Sequence, residues 1–184
     1  NCFYGGKIDG NANAIYSETM AQILQHATAY DLVNQSGTYG IPADVAFEIA
    51  QSARSSMTVV RNAYDSYLAN GTNFCSWNDP STPALDEAFS TFMTIAYKFF
   101  EHAENAGQGY HLPAKRLMFL LAPFDEDLRQ RYDQNNNTPA GDEFRATLMV
   151  TALSYAFQTN LTTEFRALNF PISSSTYDAL MGRV

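Results

Sequence analysis

A helix, a polar loop and an apolar residue followed by proline recur along this chain, and this unit constrains the fold more than any other sequence feature. The clearest copy spans residues 85–123, where LDEAFSTFMTIAYKFFEHA is followed by the loop AGQGYH and by LPAKRLMFLLAP. Three prolines follow a large apolar residue in this way: Ile41-Pro42, Leu112-Pro113 and Phe170-Pro171. Proline suits the first turn of a helix, where its missing N–H costs nothing. The pattern therefore predicts a helix–loop–helix unit that is used several times.

Two copies of this unit also match each other at a constant offset. The matched positions lie 56 residues apart: Asp86/Asp142, Glu87/Glu143, Thr91/Thr147, Met93/Met149 and Ala96/Ala152. Similarity at a repeated spacing favours one supersecondary unit that is used more than once. The alternative is that any hairpin of apolar helices shows such a pattern.

Apolar residues recur with the helical period along most of the chain, which predicts an all-α fold. The predicted helices span approximately residues 14–34, 42–57, 58–69, 85–103, 113–122, 124–134 and 142–159, with a short turn at 164–168 and a last helix that contains Tyr177, Leu180 and Met181. No segment shows the polar–apolar alternation of a strand. We predict an orthogonal or antiparallel bundle of about six to seven helices, built from repeated helix–loop–helix units.

The segment LMVTALSYAF, at 148–157, is apolar on most of its faces. A helix that is apolar all round is typical of the interior of a fold. We therefore expect helix 142–159 at the centre of the bundle. In the other helices, the side chains expected to point inward include Tyr30, Val45, Val59, Leu68 and Phe89.

A chain of 184 residues has the length of one domain or of two small ones. The longest stretch without periodicity is GTNFCSWNDPSTPA at 71–84, which contains the only tryptophan. We predict a single helical domain over residues 1–184, in which this stretch is the candidate boundary between two subdomains. The simpler interpretation of the stretch is a surface loop anchored by a buried tryptophan.

The chain is acidic, with a formal net charge of −8 and a pI near 4.7. This charge argues against nucleic acid or an anionic membrane surface as a partner. No apolar run approaches the ~20 residues that a membrane-spanning helix needs. Eleven tyrosines and thirteen phenylalanines can fill a large core, so we expect a folded chain. The first residue is Asn1 rather than Met, which indicates a processed or excised chain.

Cysteines and asparagine sequons both favour a secreted protein. Cys2 lies in a polar, glycine-rich stretch and Cys75 in a polar loop, so neither has the surroundings of a core residue. We predict a disulfide between them, as in extracellular proteins; the alternative is two buried thiols. Four Asn-x-Ser/Thr sequons, near predicted helix ends or in loops, are candidate glycosylation sites: Asn34, Asn70, Asn136 and Asn160.

Residue types that carry catalysis or bind metal ions are few and widely spaced. None of the three histidines, His26, His102 and His111, has a second histidine four residues on, so the spacing of a helical zinc site is absent. His102 follows Glu101 near a predicted helix end, where the helix dipole favours a histidine. Cys75 lacks the local sequence of a catalytic thiol. We predict no catalytic residue, no cofactor and no metal site.

One stretch comes close to a calcium-binding loop. Asp133, Asn135 and Asn137 occupy the first three ligand positions. The position that requires glycine is Thr138, and the position of the bidentate glutamate is Phe144. The match fails at these two decisive positions, so a polar loop is the better interpretation. The arginines expected to pair with these acids and with Asp125-Glu126-Asp127 are Arg129, Arg131 and Arg145.

Small residues recur on one face of GIPADVAFEIAQSARSSM, at 40–57, and RNAYDSYLANG follows at 61–71. This arrangement is similar to the helical repeat modules of spidroins, the spider-silk proteins, in which a small-residue helix precedes an AYA-like helix. FRATLMVTALSYAF, at 144–157, and TEFRALNFPISSSTYDALMGRV, at 163–184, resemble another part of that pattern. Alanine and serine are less frequent here than in silk, and polyalanine is absent. The resemblance implies a secreted, non-catalytic helical module that is stored in soluble form and assembles into fibres.

Two functions fit these observations. The first is a secreted, non-catalytic structural module whose soluble helical domain self-associates. The alternative is a secreted helical binding or inhibitor module that recognises a protein or a small-molecule partner. Tandem copies in the full gene would favour the first function, and a single copy after a signal peptide would favour the second.

Overall fold

The computed structural model describes residues 15–76, 85–107, 109–121, 128, 131 and 138–183. Its helices are α1 (Ile15–Asn34), α2 (Ser36–Tyr39), α3 (Ala43–Ala69), α4 (Leu85–Ala106), α5 (His111–Leu121), α6 (Pro139–Phe157), α7 (Thr162–Ala167) and α8 (Ser174–Met181). No strand occurs in this part of the chain, so the predicted all-α fold is confirmed. The acidic run 125–127 and the calcium-like stretch 133–137 lie outside the described residues.

The helices form two groups around a shared core. In the first group α4 packs against α1 and α3, and in the second α6 packs against α5, α7 and α8. Contacts of α4 with α6 and of α1 with α5 join the two groups into one continuous hydrophobic cluster. A buried hydrogen bond from Thr19 Oγ1 to the Phe92 carbonyl, 2.9 Å long, also holds α1 on α4.

The helix α6 is buried along almost its whole length, as its composition predicts. Its buried side chains include Phe144, Ala146, Leu148, Met149, Val150, Ala152, Leu153 and Ala156. The helix begins three residues earlier than expected because Thr138 is its N-cap, with Oγ1 accepting from the Gly141 N–H at 3.2 Å, and Pro139 follows in the first turn. The prediction that this helix is central is confirmed.

The helix α3 is continuous, and the prediction of two helices that meet at Met57 and Thr58 was wrong. Neither glycine nor proline interrupts residues 43–69, so nothing in the backbone chemistry ends the helix there. Thr58 is accommodated inside the helix because its Oγ1 donates to the Arg54 carbonyl one turn back, at 3.0 Å.

Five side chains that were expected to point inward are exposed: Tyr30, Val45, Val59, Leu68 and Phe89. In α3 the buried residues are Val60, Ala63 and Tyr67, which were also expected to point inward, so the contact face is narrower than predicted. No residue of α3 before Val60 is buried, so the neighbouring helices cover little of its first half. Apolar periodicity located the helix but did not show how much of it the neighbours cover.

An aromatic cluster fixes the C-terminal segment against α3. The ring of Phe170 lies 5.0 Å from Phe165, 4.9 Å from Phe74 and 6.0 Å from Tyr67, measured between ring centroids. The hydroxyl of Tyr67 donates to the Leu168 carbonyl at 2.7 Å. Residues 162–183 are therefore held by α3 as well as by α6.

Candidate functional site

Several large apolar side chains are exposed at one end of the bundle, where α1 ends, α2 lies and α3 and α5 begin. They are Tyr30 (44% exposed), Tyr39 (50%), Val45 (45%), Phe47 (56%) and Leu112 (39%). We call this set the aromatic end. The ring of Tyr30 packs edge-on to buried Tyr110, at 4.8 Å between centroids, so α1 and the start of α5 are held together here. Exposed apolar side chains gathered at one end of a bundle are candidates for contact with another molecule.

The elements of the aromatic end carry an excess of acidic side chains. The carboxylates are Asp31, Asp44 and Glu48, to which the end of α4 adds Glu104, and the nearby bases are His111 and Lys115. Tyr39 donates its hydroxyl proton to Asp31 Oδ2 at 3.1 Å, and this hydrogen bond raises the pKa of Tyr39. Tyr110 donates to Glu104 Oε1 at 2.9 Å; burial first, and then this bond, raises the pKa of Tyr110. Two of the carboxylates are thus fixed by tyrosines of the same end.

Two clefts flank α1 next to the aromatic end. One, of about 410 Å³, lies between α1 and α3 and has Ile49 and Ala53 on its far wall. The other, of about 290 Å³, lies between α1 and α5 and includes His111. Leu24 and Leu32 border both clefts, so α1 forms a ridge between them.

His26 lies at the edge of the α1–α3 cleft and is only 7% exposed. Its ring packs against Phe100 and Tyr110, with centroids 4.6 and 4.9 Å away. Its Nδ1 is buried without a hydrogen-bond partner. Burial lowers the pKa of His26 against the opposing effects of Glu104 and of the Ala53 backbone, so the ring is neutral at pH 7. No sequence motif marks this residue, because the rings that surround it come from distant parts of the chain.

A compact ionic cluster lies where α7 meets α4. Lys98 Nζ lies 2.7 Å from Glu101 Oε2 and 2.9 Å from Glu164 Oε1, and His102 Nε2 lies 2.9 Å from Glu164 Oε2. The expectation that His102 sits at a helix end was wrong, because α4 continues to Ala106. The histidine instead binds Glu164 across 62 residues of sequence.

The pKa values of Lys98 and Glu164 are shifted in the directions that favour their charged forms. Burial alone would lower the pKa of Lys98, but hydrogen bonds to Glu101 and Glu164 outweigh it, and the net pKa lies above its ordinary value. The hydrogen bond from His102, and that from Lys98 against the opposing effect of burial, lower the pKa of Glu164 to about 2. Glu164 thus lies within 3 Å of two side chains of α4, and these contacts hold α7 against α4.

Arg145 is fully buried on α6 and pairs within its own helix. Its NH2 atom lies 3.1 Å from Asp142 Oδ1, and its Nε donates to Ser76 Oγ at 2.9 Å. Ser76 also donates to Asp142 Oδ1, which closes a three-residue network. The acids of 125–127 and 133, which were its expected partners, lie outside the described residues. Arg131 lies over the Phe144 ring, 4.4 Å from its centroid.

The predicted disulfide is not tested, because Cys2 lies outside the described residues. Cys75 is half-buried against the core, and its N–H donates to Thr91 Oγ1 at 3.1 Å. Of the sequon asparagines, Asn34, Asn70 and Asn160 are exposed at or beside helix ends, and Asn136 lies outside the described residues. The predicted disulfide and glycosylation therefore stay predictions.

Metal-binding side chains do not converge in the described ranges: no group of three or more His, Cys, Asp or Glu could hold an ion there. Thr138 and Phe144, which occupy decisive positions of the calcium-like stretch, instead cap and pack α6. None of the helices described is both long and apolar enough to cross a membrane.

No protein-family model, no curated protein and no solved structure matches this chain.

Proposed function

We propose that this chain is a secreted, non-catalytic helical module that works by self-association. The observation that carries the proposal is the aromatic end, which holds five of the nine large apolar side chains that the described residues expose. Burying such surface between molecules releases roughly 25 cal/mol per Å² of apolar area. A second copy of the chain is the partner that supplies a matching apolar surface through two-fold symmetry.

The negative charge around the aromatic end makes this association depend on pH. At neutral pH the carboxylates of each copy repel those of the other, and the whole chain carries −8. Acidification towards the pI near 4.7 removes this repulsion while the apolar side chains stay the same. The module would therefore be stored as a soluble species near pH 7 and would associate as the pH falls.

The resemblance to spidroin repeat modules supports the same function. GIPADVAFEIAQSARSSM and RNAYDSYLANG fall on one continuous helix, α3, and its flanking residues, so the two-helix arrangement of that pattern is not kept. What supports the proposal is that the first half of α3 is among the least covered helical surfaces. Spidroin modules are stored soluble and assemble extracellularly, which is the behaviour proposed for this chain.

The test is light scattering together with far-UV circular dichroism between pH 7 and pH 5. We expect the molar mass to rise as the pH falls, with the helical signal retained, and added salt at pH 7 to reproduce part of the rise by screening. Phe47→Glu should suppress the association because it places a charge in the aromatic end. Phe119→Glu, which changes a phenylalanine 62% exposed elsewhere on α5, is the matched control and should not suppress it. A monomer at pH 5 and high protein concentration would reject the proposal.

A secreted binding or inhibitor module is the second candidate function, and the α1–α3 cleft favours it. This cleft is mostly apolar, and the ring of His26, whose Nδ1 is buried without a hydrogen-bond partner, is part of its lining. A mainly apolar ligand would suit such a cleft, and contact with it would change the surroundings of the His26 ring. Titration with a medium-chain alcohol, followed by the NMR shifts of the His26 ring, tests this function; unchanged shifts would reject it.

A further inference from the structure

A cleft of about 690 Å³ lies on another part of the molecule, between the C-terminus of α3, the N-terminus of α6 and the segment that follows α7. Its size is within the range of small-molecule sites. Its lining is unlike that of the α1 clefts, because it combines asparagine side chains with a carboxylate and an aromatic ring: Asn70, Asn73, Asn169, Asp142 and Phe74.

The three asparagines of this cleft share one hydrogen-bonding arrangement. Each directs its Nδ2 at a neighbouring group: Asn70 to Glu87 Oε1 at 3.2 Å, Asn73 to Glu87 Oε2 at 2.9 Å, and Asn169 to Thr72 Oγ1 at 2.5 Å. Their side-chain oxygens accept no hydrogen bond within the described part of the chain. The cleft is therefore lined by fixed amides whose acceptor ends remain available.

The backbone of the cleft is held in an uncommon conformation. Gly71, Thr72 and Asn169 have φ values of 71°, 54° and 61°, all in the left-handed region. A β-branched residue such as threonine rarely adopts this region, which persists only where the surroundings enforce it. Thr72 and Asn169 are joined side chain to side chain across 97 residues of sequence, so each fixes the other. The Asn169 amide is thus held before any ligand arrives, while the exposed Asn70 and Asn73 are held through their hydrogen bonds to Glu87.

We propose that this cleft binds a saccharide. Sugar hydroxyl and acetamido groups are hydrogen-bond donors, and the cleft offers three amide oxygens as acceptors, with Asp142 at its edge. The apolar C–H face of a pyranose ring packs on aromatic and proline surfaces, which Phe74 and Pro171 supply in the same lining. Neither a hydrocarbon, which has no donors, nor an anion, which would meet Asp142, fits this combination as well.

The saccharide has two sources, which share this chemistry. Asn70-Gly71-Thr72 is itself a sequon, so the first sugars of a glycan on Asn70 would lie at the cleft of their own molecule. Attachment replaces one Nδ2 hydrogen and leaves the other, so the hydrogen bond to Glu87 can persist. The second source is a glycan on another molecule.

The first arm of the test uses unglycosylated full chain from bacterial expression. It is titrated with N,N′-diacetylchitobiose and with α-mannobiose, and amide shifts are followed by NMR. We expect saturable shifts confined to residues 70–74 and 169–171 with at least one of the two. Asn169→Gly, which keeps the left-handed backbone accessible, and Asn73→Ala should each weaken binding by up to about tenfold, as loss of one hydrogen bond does. Asn105→Ala, an exposed asparagine on α4, is the control and should leave binding unchanged.

The second arm uses the chain secreted from eukaryotic cells, with Asn70→Gln as the variant that keeps an amide and removes the sequon. If the source is the chain's own glycan, mass spectrometry finds a glycan on Asn70, added saccharide no longer binds, and the variant binds it. If Asn70 carries no glycan and the unmodified chain binds, the source is another molecule. The proposal is overturned if neither saccharide shifts any amide and Asn70 carries no glycan. It is also overturned if neither saccharide shifts any amide and a glycan on Asn70 leaves the amide signals of Asn73 and Asn169 unchanged.

Discussion

His102 Nε2 lies 2.9 Å from Glu164 Oε2, and this contact connects the middle of the chain to its C-terminal segment. Lys98 approaches the other oxygen of the same carboxylate, at 2.9 Å. Glu164 is therefore shared by two side chains of α4, and α7 is fixed at the point where α6 has ended. Because α7 is short, its position depends on such contacts rather than on its own helical stability.

We predict that Glu164→Gln destabilises the fold at pH 7 by about 1–2 kcal/mol, after allowing for solvent screening at this partly exposed carboxylate. The pKa of Glu164 is lowered from 4.5 to about 2, so its contribution is full above pH 4.5 and is lost as the pH falls through 2. Urea unfolding at pH 7 and at pH 2.5 measures this. The deficit of the variant should shrink at the lower pH, and Glu143→Gln, an exposed carboxylate on α6, should show no comparable effect.

The second prediction compares two leucines that the sequence alone does not separate. Leu153 on α6 is 0% exposed and Leu68 on α3 is 44% exposed. Leu153→Ala should cost about 2–5 kcal/mol because it leaves a cavity in the core, whereas Leu68→Ala should cost less than about 1 kcal/mol. Chemical denaturation of both variants gives the two values. Equal costs would mean that α6 is not the centre of the core.

Most helical segments could be predicted from the sequence because helical periodicity is a local signal, but the continuity of α3 through Met57 and Thr58 could not. The central role of α6 could also be predicted, since a helix apolar on all faces can only be buried. The exposure of Leu68 could not be predicted, because it depends on which neighbouring helices cover that face of α3. The loss of stability on truncating a leucine depends on how far neighbouring helices bury it, and this burial is set by contacts between segments that are distant in the sequence.

The candidate sites were predicted less well for the same reason. Asn70 was identified as a sequon, but its place beside Asn169 depends on a contact across the fold that no local pattern encodes. His26 belongs to no sequence motif, and it is buried because the rings of Phe100, on α4, and Tyr110, just before α5, pack against it. His102 was assigned to a helix end because the sequence did not show that α4 continues to Ala106.

A third prediction concerns the cysteines. If Cys2 and Cys75 form a disulfide, thiol titration of the denatured, non-reduced protein finds no free thiol. Cys75 follows the Phe74 ring that packs on Phe170, so the bridge would attach the N-terminal segment to the aromatic cluster. Its loss should lower the free energy of unfolding by about 2–4 kcal/mol. Two titratable thiols would show that the bridge is absent.

The last prediction asks whether self-association is controlled by the negative charge beside the aromatic end or by the net charge of the whole chain. Asp44 and Glu48 lie on the first two turns of α3, beside the exposed Phe47. Replacing both by Asn and Gln removes two negative charges next to the aromatic end, so we expect self-association at pH 7 of the kind that acid produces in the unmodified chain. The control pair, Glu143→Gln with Asp178→Asn, removes the same charge from exposed positions on α6 and α8. Light scattering at matched concentration decides: association in the first pair alone identifies the aromatic end as the interface, whereas equal association in both pairs would mean that net charge alone controls solubility.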